Sequence, residues 1–240
     1  MNIIQPYARI LPPPEYRHEE KFTYAHGVRL LKHIEWCARI SHRSEDAIRD
    51  DSYDRFLRSV VLQHGDWSVV EHASVSVDFY VDRGITHELV RHRLFAFTQE
   101  SSRFVNYEKK IPANFVMPIE HLSTEVDKAP NGEPISLSQR QVWAHAILTA
   151  ESSYKRLIQS GVSPQIARSV FPNALASRII ITGNLRNWRH FLLMRTTKEA
   201  HPQMREITIP LLTEFQEKIP IFYEDIEPLA KQSDNLKKGR

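Results

Sequence analysis

Apolar positions along the chain change period several times, and each change marks an element. Across residues 25–40, AHGVRLLKHIEWCARI, the positions Leu30, Leu31, Ile34, Cys37, Ala38 and Ile40 recur at three- and four-residue intervals. That spacing predicts a helix with one buried face. A second helix is expected over 52–63, SYDRFLRSVVLQ, with Phe56, Val60 and Val61 on one side. HGDWSVVEH, residues 64–72, then breaks the period at His64-Gly65-Asp66. In ASVSVDFYV, residues 73–81, Val75, Val77, Phe79 and Val81 alternate with mostly smaller or polar residues, which predicts a half-buried strand. Gly84 ends that strand, and Thr86 is placed to cap a helix beginning at His87.

The second half reads in the same way. Pro112, Pro118, Pro130, Pro134 and the pair Asn131-Gly132 make 110–137 a loop, of a length that suits a flap over a site. A long helix is expected over 138–159, with Val142, Ala146, Ala150, Tyr154 and Leu157 as its stripe. Ser163-Pro164 is a cap followed by proline at the first helical position, and that helix carries Arg168 and runs to about Phe171. LASRIIIT, 175–182, predicts a strand, Gly183-Asn184 a turn, and Asn184 a cap for a helix over 185–195. A last helix is expected over 203–218, followed by a frayed tail at 233–240. Three consecutive prolines, Pro12 to Pro14, make residues 1–20 an extended opening segment. With no internal repeat and no linker, residues 1–240 read as a single mixed α+β domain, a β-sheet flanked by helices.

Composition narrows the function classes. Hydrophobic residues make up 41% of the chain and aromatics 10%, enough for a packed core. The net charge of +3 lacks the basic excess of a duplex-coating protein. Cys37 is the single cysteine, so there is neither an intramolecular disulfide nor a cysteine-rich zinc site, and a reducing compartment fits. No apolar run approaches a spanning length, and the first twenty residues lack a secretory apolar core. A cytoplasmic protein with no membrane partner is the expectation.

The densest chemistry lies in THELVRHRLFAFTQESSRF, residues 86–104. His87 and His92 are five apart, about 140° around a helix, whereas a zinc helix needs its histidines four apart, so no metal is expected. Arg91, Arg93 and Arg103 beside Phe95, Phe97 and Phe104 follow the recipe for single-stranded nucleic acid. Acidic and basic residues are mixed elsewhere, with no long basic stripe, so nucleic acid is not the expected partner. A cradle for a small anion explains more. Arg91-His92-Arg93 and Arg103 offer guanidinium forks, while Thr98, Gln99, Ser101 and Ser102 add neutral donors. Arg195 continues the apolar stripe Leu185, Trp188 and Leu192, a costly place for a charge unless it meets an anion or carboxylate. Snorkelling past the helix end is the plainer alternative.

Arg91-His92-Arg93 followed after seven residues by Ser101, then by Arg103, resembles the signature of the flavin-dependent thymidylate synthases, the ThyX family. HGDWSVVEH (64–72), ARISHRS (38–44), SPQIARSVFPNAL (163–175) and TGNLRNWRHFLLMR (182–195) are similar to further boxes of that family, in order. The resemblance implies an α+β homotetramer with sites at subunit interfaces. It implies FAD as cofactor, NADPH as reductant, methylenetetrahydrofolate as carbon donor and dUMP as the substrate converted to dTMP. The lone Cys37, in a predicted amphipathic helix, suits this chemistry better than a cysteine-nucleophile synthase. The alternative is a protein of the same fold that binds FAD or a nucleotide without methylating.

By motif position the resemblance assigns FAD to Ser68, Glu71, Arg91, His92, Arg93, Gln99, Asn184, Leu185, Arg186 and His190. It assigns dUMP to Glu88, Leu89, Val90, Arg91, Gln99, Glu100, Ser101, Ser102, Arg103, Arg168 and Arg195. Arg195 is expected to be catalytic, a fixed cation beside negative charge built on the uracil ring. Ser101 is expected to bind rather than attack, since nothing near it in sequence is an activating base. The chain departs from the family pattern at Ala96, Thr98, Gln99 and Phe104, at Glu88 where many members carry Gln, and at Asp66 where some carry His. Those departures bear on dUMP affinity and on folate contacts.

Overall fold

The computed structural model describes residues 1–16, 18–109, 111–125 and 137–227. Part of the loop expected over 110–137 and the tail at 233–240 lie outside the described residues. In chain order the strands and α-helices are β1 (Asn2–Ile3), β2 (Tyr7–Ile10), α1 (Tyr24–Arg39), α2 (Ser52–Leu57), β3 (Ser74–Asp82), α3 (Arg83–Leu89), β4 (Ala96–Gln99), β5 (Asn114–Phe115), α4 (Gln139–Gln159), α5 (Pro164–Ala167), β6 (Ala176–Asn184), α6 (Leu185–Arg195) and α7 (Pro202–Lys218). A four-stranded sheet runs β2-β3-β6-β4, and β1 pairs parallel with β5, Asn2 opposite Asn114. The mixed α and β class is the one the periodicity predicts.

The chain folds as two compact units. One takes Met1–Pro6, Tyr80–Glu88 and Gln99–Ile179; the other takes Tyr7–Phe79, Leu89–Thr98 and the chain from Ile180 onward. Four of the five crossings, at 79–80, 88–89, 98–99 and 179–180, fall inside β3, α3, β4 and β6, and the fifth, at 6–7, falls between β1 and β2. In the first unit Tyr107, Phe115, Ile147, Tyr154 and Leu175 form the core, with Tyr154 stacked on Phe171 at 4.5 Å between ring centroids. In the second, Trp188 is wholly buried and its indole N–H donates to the Val75 carbonyl at 3.1 Å, which satisfies the ring's polar atom.

Several expected elements shift, each for a physical reason. α3 begins at Arg83, not at His87. The Asp82 carboxylate accepts from the Ile85 N–H at 3.0 Å and starts the helix, so Thr86 is buried inside it and donates back to the Arg83 carbonyl. The helix therefore ends before Arg91-His92-Arg93, which lie in the turn that follows. The helix expected over 52–63 is α-helical only to Leu57 and continues as a π-helical stretch over Arg58–Gln63. The extended opening segment contains β1 and β2, and β4 and β5 form where no strand is expected. α5 ends at Ala167, leaving Arg168 in a 3-10 turn. Gly183 and Asn184 close β6 rather than forming a turn, though Asn184 does cap α6, its Oδ1 accepting from the Asn187 N–H at 2.8 Å.

The expected stripe of α4 turns inward only in its second half, where Tyr154 is buried and Leu157 packs against the core. Ile147, Glu151 and Tyr154 are buried, whereas Val142 is 51% exposed and Ala146 is exposed. A carboxylate holds the buried face because Glu151 pairs with the Met1 amine at 2.9 Å and with Lys155 at 2.8 Å. Ser138 caps the helix in a box with Gln141.

Candidate functional site

The second unit holds a cavity of about 310 Å³ built from the turn after α3 and one face of α6. Arg91, Arg93 and Arg195 supply its charge, and His92, His190 and Asn187 its neutral or titratable polar atoms. Among the described residues no carboxylate lines it. Leu94, Phe95 and Met194 make its apolar wall. The turn is tied down by backbone bonds, His92 N–H to Leu89 and Phe95 N–H to His92, and the Asn187 amide donates to the Leu94 carbonyl at 3.1 Å. Phe95 rests edge-on against Trp188 at 4.6 Å. It also lies directly on Gly183, where an added Cβ would come within 2.3 Å of the ring. A flat aromatic wall beside three cations is the result.

Arg195 ends the apolar stripe Leu185, Trp188, Leu192, all three wholly buried. Its Nε donates to His92 Nε2 at 2.9 Å. A ring nitrogen that accepts carries no proton, so His92 is neutral with its hydrogen on Nδ1. Burial, the Arg195 charge and the neighbouring His190 all disfavour the imidazolium, and the His92 pKa is lowered to about 4. The acceptor is thus an uncharged imidazole, a partner the stripe argument did not include. A neutral imidazole orients the guanidinium without itself offsetting its charge.

The first unit holds a more polar pocket of about 390 Å³, between the turn after α5 and the start of α3. Arg168 Nη1 donates to Ser102 Oγ at 2.9 Å, and Ser102 is only 3% exposed. Arg83, Gln165 and Ser169 also line it. Nearby in the same unit, both amide hydrogens of Gln99 are spent, on Thr86 Oγ1 and Ser177 Oγ, each at 3.0 Å. Its Oε1 remains as an acceptor. Glu100 accepts from the Tyr107 hydroxyl at 2.9 Å; burial first, then this carboxylate, push the Tyr107 pKa up and keep the phenol protonated. Ser101 Oγ accepts from the Arg103 N–H at 3.4 Å, which leaves its own proton to donate.

The other expected residues stand as follows. Ser68 and Glu71 are exposed positions of the 3-10 turn Trp67–His72, and Glu71 pairs with Arg186 of α6 at 2.6 Å. Arg186 and His190 share a helix face, but of the two His190 lines the cavity. Leu185 and Leu89 are buried core residues, Glu88 is half-buried and Val90 exposed. Arg103 is exposed, its guanidinium 5.6 Å from the Phe104 ring centre. The residues missed in the sequence reading are Leu94, Phe95, Asn187 and Met194 in the cavity and Arg83, Gln165 and Ser169 in the pocket. A signal existed for part of the first group: Asn187, His190 and Met194 are spaced three and four apart, on one face of α6. Nothing local marks the second group.

Fold and cavities together define a mixed α and β protein whose cationic sites suit phosphorylated, ring-bearing ligands. The family model of the thymidylate synthase complementing proteins matches residues 29–221. A flavin-dependent thymidylate synthase from Mycobacterium sp. (strain JLS) is 35% identical over 235 residues, covering 91% of this chain and 87% of its own. Another from Corynebacterium efficiens is 31% identical over 218 residues, covering 87% and 84%. Among solved structures, a UMP/dUMP methylase from Streptomyces cacaoi bound with 5-Br dUMP superposes with a TM-score of 0.68 at 23% identity, over 93% of this chain and 96% of that one. At that identity the likeness is one of fold. The chain belongs to the family of thymidylate synthase complementing proteins, the flavin-dependent thymidylate synthases.

Proposed function

We propose that this protein is a flavin-dependent thymidylate synthase acting in the cytoplasm. It converts dUMP to dTMP, with methylenetetrahydrofolate as carbon donor and NADPH as the reductant of FAD. The observation that carries this reading is Arg195, held by the neutral His92 in a cavity with Arg91, Arg93 and the Phe95 ring. Such a lining fits a flavin dinucleotide in kind: guanidinium forks for phosphate oxygens and an aromatic face for a flat ring. Bound FAD would supply the hydride.

The chain's own residues do the rest. Arg91 and Arg93, with His190, hold the cofactor, and the Arg186–Glu71 pair borders it. Arg195 stabilises negative charge that develops on the uracil ring, and His92 fixes its direction so that little reorganisation is needed in the transition state. Arg168, oriented by Ser102, takes the phosphate of dUMP and Ser101 donates to the substrate, in sites completed by neighbouring copies of the proposed homotetramer. Gln99 can only accept, which suits a uracil N–H. Glu100 is held by Tyr107 and orients the strand end that carries these residues. Residues 1–240 work as one catalytic domain, a reading supported by the crossings that run inside continuous elements.

The cavity's 310 Å³ lies at the low end of the roughly 300–1,000 Å³ of small-molecule pockets, room for one ring system rather than a dinucleotide. Completion by neighbouring copies in a homotetramer would account for the remainder. The test is a visible spectrum of protein incubated with FAD, filtered, then given NADPH and dUMP under argon, followed by folate and a dTMP assay. A retained flavin band that bleaches, with dTMP formed, is expected. Retained flavin without dTMP would leave a flavoprotein that does not methylate, and no retained flavin in a folded sample would refute the reading.

A further inference from the structure

A further cavity, of about 550 Å³, lies in the same unit as Arg195, and none of the roles above uses it. It is lined by Arg39, Arg49, Ser52, Arg55 and Ser59, with Asp51 as its carboxylate. Arg39 belongs to the ARISHRS box, to which no role has been assigned.

Its donors are fixed from behind. Glu35 is wholly buried, and its Oε1 accepts from Arg39 Nε at 2.9 Å, from Arg39 Nη2 at 2.8 Å and from the Ser52 hydroxyl at 2.7 Å. The Arg39 guanidinium also covers the Phe56 ring at 4.1 Å. Arg49 is held differently: its Nη1 donates to the carbonyls of Asp46 and Ile48, both at 2.7 Å, and its backbone N–H donates to Ser52 Oγ. Backbone carbonyls pin a guanidinium without neutralising it. The Arg55 guanidinium makes no hydrogen bond or ion pair among the described residues. Glu35 balances Arg39, so Arg49 and Arg55 together face the single charge of Asp51, and the cavity is net positive. Burying a carboxylate–arginine pair carries a desolvation cost. Here Glu35 rigidifies Arg39 and Ser52, two residues of the cavity lining, as a preorganised binding wall requires.

We propose that this cavity binds a phosphate monoester, its oxygens taken by the Arg49 and Arg55 forks with the Ser59 hydroxyl as a neutral donor. A phosphate group, with three acceptor oxygens, matches two guanidinium forks better than a carboxylate does. The volume also admits a nucleoside-sized body. The phosphate group is the shared chemistry, whether free or carried by a nucleotide, and the site stands independently of the reaction proposed above.

The experiment is isothermal titration calorimetry of the whole protein at matched ionic strength, with FAD and dUMP present in excess, using inorganic phosphate and then AMP. Wild type and Arg168→Gln are expected to show the same phosphate uptake. Arg49→Gln/Arg55→Gln is expected to bind at least about tenfold more weakly, as the loss of charge-assisted hydrogen bonds implies. Tighter binding of AMP than of phosphate assigns a nucleotide; equal binding assigns the phosphate group alone. Both altered side chains in the double variant are cavity-lining arginines outside the Glu35 network, and its thermal unfolding checks that it folds. Uptake unchanged in the folded double variant, lost equally in Arg168→Gln, or absent from wild type would overturn the proposal.

Discussion

The cavity around Arg195 and the pocket around Arg168 each present an arginine on a short tether, and they differ in what holds it. Arg195 is held by an uncharged imidazole against aromatic rings; Arg168 is held by a buried hydroxyl among polar side chains. Neither His92 nor Ser102 carries a charge that offsets the arginine it holds. An aromatic wall favours a flat ring whose charge changes during reaction, since low polarity strengthens electrostatic stabilisation. A polar, hydroxyl-lined pocket favours a group that stays charged throughout, such as phosphate. The difference therefore separates a chemical role from a binding role, and it can be attacked from either side.

The largest effect is expected for Arg195→Ala. Removing a preorganised donor from a developing anion costs about 10²–10³ in kcat. The rate of dTMP formation should fall by at least that much while the flavin band is retained after filtration. Near-normal dTMP formation would take the chemical role away from this cavity. Gly183→Ala should follow. Its Cβ would press into the Phe95 ring, and overpacking of this kind costs about 1–3 kcal/mol. A drop in Tm together with weaker flavin retention is expected; an unchanged Tm would mean that Phe95 has room to move.

Smaller still is a pH effect. His92 has a folded-state pKa of about 4 against an ordinary 6.5. Above pH 6.5 it is neutral in both folded and unfolded chains and adds no slope. Between 6.5 and 4 the unfolded chain takes up the proton first, so its contribution to stability declines as pH falls through that window. His92→Gln keeps an acceptor and cannot titrate. Its Tm should fall less than that of wild type between pH 6.5 and 4, and the two should run parallel above pH 7. Identical profiles would mean that His92 does not hold Arg195 as a neutral acceptor.

Local signals carried more of the fold than distant ones. The α6 cap at Asn184 and the stripe Leu185, Trp188, Leu192 were legible because both are set by residues within one or two turns. β1 was not, because two residues make a strand only when Asn114 and Phe115 are opposite them. On α4 the stripe holds at Tyr154 and Leu157 but not at Val142 and Ala146, which look like core, while Glu151 is settled inside by the Met1 amine and Lys155. In the candidate site the arginines and His92 could be picked out by motif. Their arrangement could not, since the bond from Arg195 to His92 links positions 103 apart and Arg168 meets Ser102 across 66. Thr86 shows the limit most clearly. It was read as a cap from its position, but an aspartate four residues earlier starts the helix and leaves Thr86 to receive Gln99.

Ser102→Ala tests the other side of the comparison with the smallest expected effect. Ser102 Oγ accepts from Arg168 Nη1 in a buried setting, so alanine removes one acceptor and leaves the guanidinium charge in place. A hydrogen bond to a charged group contributes about 1.5–3 kcal/mol, and water entering the polar pocket would return part of it. The KM for dUMP should therefore rise about tenfold or less, with kcat nearly unchanged. That pattern is the one produced by losing an interaction made equally in the ground state and the transition state. Retention of flavin should not change. A fall in kcat with KM held would reverse the assignment, making Arg168 responsive to the chemistry and leaving the hydroxyl-held arginine no different in kind from the imidazole-held one.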